Sequence, residues 1–132
     1  MKIYISAKWQ LKEKVKEIQE YLTSQRHEII SKWVERAFTR DYEEFNDSGK
    51  FAEEETQAIL RSDVFIHISD EGGKGKYVDL GIAIAGNKLN KKPKIFVMGK
   101  GTNESQFYFH QSVERIKTKN YLDGLKQILT KL

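Results

Sequence analysis

Apolar residues in the first part of the chain alternate between strand-like and helix-like patterns. Residues 2–6 are a short apolar run that ends in a small residue, as a buried first strand does. Four apolar residues then recur at helical spacing among lysines and glutamates, which predicts an amphipathic helix over roughly residues 10–24. Residues 27–31 contain two adjacent isoleucines and predict a second, weaker strand.

The middle of the chain combines an irregular stretch with the strongest strand signal. Residues 32–49 mix aromatic residues with loop-like polar pairs and show no period, so a lid and a subunit contact are both open interpretations. Helical spacing returns over residues 50–61. Residues 63–69 are almost continuously apolar, which is typical of a central strand in a parallel sheet.

The second half continues the alternation. A glycine-rich loop covers residues 70–76, and the small residues that follow predict a helix over residues 77–87 that packs closely on a sheet. The only proline introduces a strand over residues 94–98, and residues 113–116 favour a short fifth strand. A helix over residues 120–132 ends the pattern.

Strands that alternate with helices predict an α/β domain of three layers, α/β/α. We expect a mostly parallel sheet of four or five strands, flavodoxin-like or Rossmann-like, with helices on both faces and right-handed crossovers. The length of 132 residues suits a single domain over residues 1–132.

Composition narrows the classes of function. Because the chain has no cysteine, it has no disulfide, no thiolate nucleophile and no cysteine-based metal site, which fits an intracellular protein. It has no run of 18 apolar residues that could cross a membrane, and its start lacks the pattern of a signal peptide, so we expect a cytoplasmic protein. The formal charge of +4 favours an anionic ligand such as a nucleotide, but the basic residues are scattered among acids and form no nucleic-acid footprint.

The predicted sheet also indicates where a ligand binds, because open parallel sheets bind ligands beyond the carboxyl ends of their strands. The candidate segments are therefore residues 7–9, 70–76 and 99–105. The Gly-Gly-Lys-Gly-Lys run within the second segment resembles a phosphate cradle, but its spacing matches neither a P-loop nor a dinucleotide fingerprint. A flexible loop that lets a substrate approach the backbone around Gly73 and a plain turn are both open interpretations.

Carboxylates cluster at the same edge of the predicted sheet. Asp79 is expected in the first turn of the helix after the central strand, where a single acid would simply complement the helix dipole. Asp70 and Glu71 precede it, and crowded carboxylates acquire the divergent pKa values that acid and base pairs require. A Mg²⁺ site made of these three acids is the alternative. The three histidines are widely separated in the sequence, and His67 is expected in the core rather than at a metal.

Two segments resemble a known enzyme family. The Ile-Tyr-Ile-Ser-Ala-Lys-Trp run of residues 3–9 is similar to the first strand and loop of nucleoside 2-deoxyribosyltransferases. The Tyr-Val-Asp-Leu-Gly-Ile-Ala run of residues 77–83 resembles the Glu-Leu-Gly-x-Ala signature of that family. Glu55 lies eight residues before Asp63, a spacing similar to that of an upstream acid in the family and in its relatives that hydrolyse deoxynucleoside 5′-monophosphates.

The resemblance implies a retaining displacement at the anomeric carbon of a sugar, with no cofactor and no metal ion. Carried over by position, Asp79 is the nucleophile, Glu55 assists the departing base, and Tyr4 positions the nucleophile through its hydroxyl. The family nucleophile is normally Glu and the upstream acid normally Asp, so we expect these opposite changes in length to compensate. Both acids are expected to converge on one pocket that also admits Tyr4.

The implied substrate is a small nucleoside or nucleotide. Trp9 is expected to wall the base pocket, and Asp70 to contact the substrate. Lys8 and Lys76, together with Lys74, suit a 5′-phosphate, to which Ser6 adds a hydroxyl.

The resemblance also implies a homo-oligomer. In the family, a neighbouring subunit commonly completes the site from the segment after the fourth strand, here residues 99–109. Asn103 or Gln106 is expected to offer an amide to the sugar hydroxyl, and the aromatic cluster 107–109 is interpreted as packing in a core or a dimer interface.

Three functions are consistent with this sequence. The first is cleavage of an N-glycosidic bond with transfer of the sugar to another base or to water. The second is a non-catalytic nucleotide-binding module, in which Asp79 holds a ribose hydroxyl. A receiver-like signalling domain also fits the fold, but the chain lacks the acidic pair that receivers carry directly after the first strand.

Overall fold

The computed structural model describes residues 1–36, 41–43 and 47–132. The strands of this part of the chain are β1 (Lys2–Ser6), β2 (Glu28–Ile29), β3 (Val64–Ile68), β4 (Lys94–Gly99) and β5 (Val113–Lys117). The helices are α1 (Lys12–Ser24), α2 (Ser48–Arg61), α3 (Lys74–Asn90) and α4 (Tyr121–Leu129). Single 3-10 turns cover Trp9–Leu11, Trp33–Glu35 and Gln106–Phe109.

The strands form one sheet in the order β2-β1-β3-β4-β5, and every pair is parallel. The three-layer α/β/α prediction is confirmed, and the sheet is fully rather than mostly parallel. The chain leaves β1 towards β2 on one side and returns to β3 on the other. Connections therefore diverge above β1 and β3, and this divergence opens a crevice at their carboxyl ends.

Alternation along the strands divides the core into two layers. Ile3 and Ile5 pack with α1 and α4 on one face, whereas Tyr4 lies in the cluster with α2 and α3 on the other. Because side chains alternate along a strand, Ser6 shares the face of Tyr4. His67 is paired in register with Ser6 and is fully buried, which confirms the expectation that it is a core residue.

Some element bounds differ from the predictions. Helix α3 begins at Lys74, three residues before the predicted start, because Gly73 adopts a φ of +81° and caps the helix. The expectation that Asp79 lies in the first turn is therefore wrong, and this residue lies in the second turn. Strand β2 has only two residues, and the 3-10 turns were not predicted. In the described residues, no helix has the length and apolar character needed to cross a bilayer.

Candidate active site

A cleft of about 840 Å³ lies at the carboxyl ends of β1 and β3. Its lining combines residues after β1, the first turns of α3, one residue of α2 and two residues between β2 and α2: Ala7, Lys8, Trp9, Gln10, Trp33, Tyr42, Glu55, Gly73, Lys74, Gly75, Lys76, Val78 and Asp79. A second pocket of about 300 Å³ also includes Glu55 and lies against Tyr4 and Arg36. Glu55 and Asp79 therefore line one cleft, and Tyr4 lines the neighbouring pocket.

A residue of the sheet, Ser6, holds the carboxylate of Asp79. Its Oδ2 accepts a hydrogen bond from Ser6 Oγ at 2.8 Å, so β1 and α3 meet at this pair. Burial raises the pKa of Asp79 to about 7, the Ser6 hydrogen bond opposes the rise, and the charge of Glu55 adds to it. Near neutral pH this carboxyl group is therefore present in both its charged and its neutral form.

Arg36, which follows β2 in the chain, holds the carboxylate of Glu55. Its Oε1 lies 2.6 Å from Arg36 Nη1, and Arg36 Nη2 lies 3.1 Å from Glu54 Oε2. Burial raises the pKa of Glu55, the Arg36 guanidinium opposes the rise, and Glu54 adds to it. The two cleft acids thus have different partners, a hydroxyl for Asp79 and a guanidinium for Glu55.

The hydroxyl of Tyr4 lies buried beneath the two acids. Its ring stacks on Phe65 with centroids 5.8 Å apart, and its OH has no hydrogen-bond partner in the described residues. Burial, then the charges of Asp79 and Glu55, raise the pKa of Tyr4, so the phenol keeps its proton. The hydrogen bond that we expected from Tyr4 to Asp79 comes instead from Ser6, which we had expected to bind a phosphate.

Two indoles form an aromatic part of the cleft lining. The ring centroids of Trp9 and Trp33 are 6.3 Å apart, with their planes inclined by 55°. Trp33 Nε1 donates a hydrogen bond of 2.7 Å to the carbonyl of Ile5, which ties this ring to β1. Sequence reasoning placed Trp9 near the ligand but missed Trp33 and Arg36, because both lie in the stretch without a period. Their position shortly after the second predicted strand was the sequence signal that could have identified them as candidates for the site.

The N-terminus of α3 opens into the same cleft. A Cβ added to Gly73 would lie only 2.7 Å from Lys8 Cβ, so the loops after β1 and β3 touch where this glycine lacks a side chain. No side chain caps the helix, and Gly73, Lys74 and Gly75 line the cleft together with Lys8. Unpaired amide groups at a helix N-terminus beside lysines are suited to an anion.

Lys76 has a structural contact in addition to its place in the cleft lining. The side chain is 2% exposed, and Nζ donates to the carbonyl of Ile68 at 3.3 Å and to the carbonyl of Asp70. Burial lowers the pKa of this ammonium group, and Asp70 opposes the change. Its charge therefore holds the start of the glycine-rich loop against the end of β3.

The expected substrate residues Ser6, Asp70 and Asn103 lie outside the cleft lining. Asp70 faces away from Asp79, since its carboxylate accepts a hydrogen bond from Tyr121 and its Oδ1 lies near Gly99. Asn103 is exposed on the loop after β4. Among the described residues, no group of three His, Asp or Glu side chains is arranged to hold a metal ion, so the three acids of the Mg²⁺ alternative do not converge.

The aromatic cluster after β4 divides between core and surface. Tyr108 is fully buried, whereas Phe107 and Phe109 are 55% and 56% exposed. Packing explains the first of these residues, and the other two remain available to a partner. The open interpretation of residues 32–49 as a lid or a subunit contact falls partly on residues 37–40 and 44–46, which lie outside the described residues.

Comparisons with known proteins support the fold. No protein-family model matches the sequence, and no curated protein is significantly similar to it. Among solved structures, the chain is similar to the CMP N-glycosidase BcmB from Clostridium botulinum, with a TM-score of 0.70 and 17% sequence identity over 100% of both chains. At this identity the likeness establishes a shared fold, and it extends over the whole chain, as the family resemblance implied.

Proposed function

We propose that this chain cleaves the N-glycosidic bond of a nucleoside 5′-monophosphate. The observation that carries the proposal is that Asp79 and Glu55, two partly buried carboxyl groups with raised pKa values, line one cleft. The cleft has indole rings suited to a base and a helix N-terminus, without a side-chain cap, that is suited to a phosphate. The structural neighbour is a CMP N-glycosidase, and its activity supports the same bond and the same class of substrate.

The proposed reaction has two displacements. In the first, a carboxylate oxygen of Asp79 forms a bond to the anomeric carbon while the bond from that carbon to the base breaks. The base leaves with the bonding electrons and takes a proton from Glu55. In the second, Glu55 takes a proton from water, the water oxygen bonds to the anomeric carbon, and the ester to Asp79 breaks. The products are the free base and a sugar 5-phosphate with retained configuration.

The remaining cleft residues have supporting roles in this proposal. Trp9 and Trp33 form an aromatic wall against which the base packs, and they exclude water from the reacting carbon. Lys8 and Lys74 pair with the 5′-phosphate at the start of α3, while the ammonium of Lys76 keeps that loop in place. Tyr4 offers its unpartnered hydroxyl to the ligand or to an acid once the cleft is filled.

The lengths of the two acids are reversed relative to the resembling family. We propose that the shorter Asp79 and the longer Glu55 compensate by placing the sugar closer to α3. The variant pair Asp79→Glu and Glu55→Asp tests this idea. We expect each single change to lower kcat/KM by about 100-fold, as misplacement by about 1 Å does, and the double change to recover part of that loss. Additive losses in the double variant would contradict compensation.

Direct assay of base release tests the proposed function. Wild-type protein, Asp79→Asn and a control variant are incubated with nucleosides and their 5′-monophosphates. The control is Glu71→Gln, which changes an exposed acid of the glycine-rich loop outside the cleft lining. We expect release of base from monophosphates by wild type and control, and a loss of at least about a thousandfold in Asp79→Asn. Equal release by wild type and Asp79→Asn would remove Asp79 from its role. Tight binding of intact nucleotide without turnover would identify a nucleotide-binding module instead.

A second copy of the chain is part of the proposal. Phe107 and Phe109 are exposed on the segment from which the resembling family completes its site, and Asn103 lies on the same segment. We expect sedimentation to show a homo-oligomer, and Asn103→Ala to raise the KM without changing the oligomeric state. A strict monomer with full activity would exclude a shared site.

A further inference from the structure

Arg36 contacts three groups on one side of helix α2. Its Nη1 lies 2.6 Å from Glu55 Oε1, its Nη2 lies 3.1 Å from Glu54 Oε2, and its guanidinium carbon lies 3.9 Å from the ring centroid of Phe51. The Arg36 side chain is only 15% exposed, and Glu55 at 29% is more shielded from water than Glu54 at 49%. Such a planar fork, divided between two carboxylates and stacked on a ring, holds each partner in a defined direction.

The backbone that carries Arg36 is itself anchored to the sheet. Ser31 Oγ accepts a hydrogen bond of 3.2 Å from the amide of Ile5, and Trp33 Nε1 donates one of 2.7 Å to the carbonyl of the same residue. The amide of Arg36 bonds to the carbonyl of Trp33 at 3.1 Å. Arg36 therefore connects β1 to α2, and it places Glu55 relative to the strand that carries Ser6.

Glu55 requires such a partner for the chemistry assigned to it. A carboxyl group that gives a proton in one step and takes it back in the next needs both forms within reach. Burial favours the neutral form of Glu55, and so does Glu54 on the same helix, whereas Arg36 favours the charged form. Tyr4 from β1 and Asp79 from α3 are the other titratable groups that interact with it. Arg36 is thus the cation that opposes the effect of burial on the pKa of Glu55.

The two oxygens of Glu55 have different surroundings. Oε1 is occupied by Arg36, and in the described part of the chain no hydrogen bond occupies Oε2. The side chain is 29% exposed and lines the cleft. We propose that Arg36 is a positioning residue, which fixes Glu55 through Oε1 and leaves Oε2 to exchange a proton with the departing base. The inference rests on the proposed function for the identity of the proton acceptor.

Kinetics of Arg36 variants test this role. Arg36→Met keeps the length of the side chain and removes the cation, Arg36→Lys keeps the cation without the fork, and Arg61→Met removes an exposed arginine of the same small pocket. We expect kcat of Arg36→Met to fall about tenfold to a hundredfold near neutral pH with a small change in KM. In the second displacement, which needs Glu55 in its charged form, the deficit should shrink as the pH rises because that form is then restored.

The controls separate positioning from a general loss of structure. Arg36→Lys should keep the pH dependence of the wild type while recovering part of kcat, and Arg61→Met should stay within about twofold of the wild type. A loss in Arg36→Met that is equal at every pH, or an equal loss in Arg61→Met, would overturn the role of Arg36. Thermal unfolding of each variant confirms that the comparison is between folded proteins.

A readout independent of turnover distinguishes failure of this inference from failure of the proposed function. Carbon NMR of the side-chain carboxyl groups, with the Glu55 signal assigned by Glu55→Gln, gives the titration midpoint of Glu55. We expect a higher midpoint in Arg36→Met than in wild type, and the same shift in an Asp79→Asn background. An unchanged midpoint overturns the role of Arg36. A higher midpoint in Arg36→Met, together with a wild type that releases no base, rejects the proposed reaction. It keeps Arg36 as the residue that sets the pKa of Glu55.

Discussion

Replacement of Asp79 by asparagine should change the pH dependence of stability in a defined direction. Asparagine keeps the shape of the side chain and an oxygen that accepts the hydrogen bond from Ser6, but it carries no charge at any pH. An acid whose pKa is raised in the folded state binds its proton more tightly there than in the unfolded chain. The wild type therefore loses stability as the pH rises between the unfolded and folded pKa values.

The size of the effect follows from the pKa of Asp79. Burial raises it from an ordinary value of 3.8 to about 7. Each pKa unit corresponds to about 1.4 kcal/mol, so the folded protein bears a cost of about 4 kcal/mol for the charged form above pH 7. This is a large part of a typical unfolding free energy of about 5–15 kcal/mol, and it is measurable by urea denaturation.

The assay compares the unfolding free energies of wild type and Asp79→Asn between pH 4.5 and 8.5. The pKa of the buried His67 is lowered to about 3, so the contribution of this histidine to stability rises between pH 3 and 6.5. His67 is present in both proteins and cancels in their difference. We expect that difference to grow in favour of asparagine by about 1.4 kcal/mol per pH unit up to pH 7, and to stay constant above it. A difference independent of pH, or one that grows in favour of aspartate, would refute a raised pKa at residue 79.

Three further predictions follow from the same site. In the wild type, kcat/KM should fall about tenfold per pH unit below pH 7, because the attacking group of the proposed reaction is the charged form of Asp79. A flat profile in steady-state assays from pH 5 to 8 would contradict this. Tyr4→Phe removes a buried hydroxyl without a partner in the described residues, so the melting temperature should stay equal or rise while kcat falls. A lower melting temperature in Tyr4→Phe would show that the hydroxyl already has a stabilising contact. Gly73→Ala places a methyl group 2.7 Å from Lys8 Cβ at a φ of +81°. The unfolding free energy should therefore fall by about 1–3 kcal/mol, and the KM for monophosphates should rise. Gly75→Ala is the matched control, since beyond its own helix turn no atom of the described chain would lie within 4 Å of its methyl group, and it should change neither quantity by much.

The order of strands and helices was predictable because burial imposes a period on the sequence. Residues 63–69 are almost continuously apolar since β3 is covered on both faces, and with the alternation of strands and helices this run indicated a parallel sheet. The start of α3 was missed because glycine has low helix propensity, so a run with two lysines among glycines suggests a loop. In the folded chain, those residues form the first turn of the helix.

The partners of the two acids were harder to predict. The family resemblance selected Asp79 and Glu55, which line the same cleft. The resemblance did not predict the Ser6–Asp79 hydrogen bond, which joins residues 73 positions apart and depends on how α3 packs on β1. Arg36 was also missed, since its contacts with α2 come from one short turn after β2 and leave no periodic signal in the sequence.

The two acids of the cleft are supported by different parts of the chain. Ser6 and Asp79 stand on a buried strand and the helix that packs against it, where most substitutions disturb the core. The indole of Trp33 and the guanidinium of Arg36 come from a short connection at the margin of the sheet, and connections vary more readily than strands and helices do. If the proposed reaction holds, mutation at that margin would alter which base is accepted while the proposed nucleophile stays untouched. A chain built in this way can acquire new substrates in small steps without passing through an unfolded ancestor.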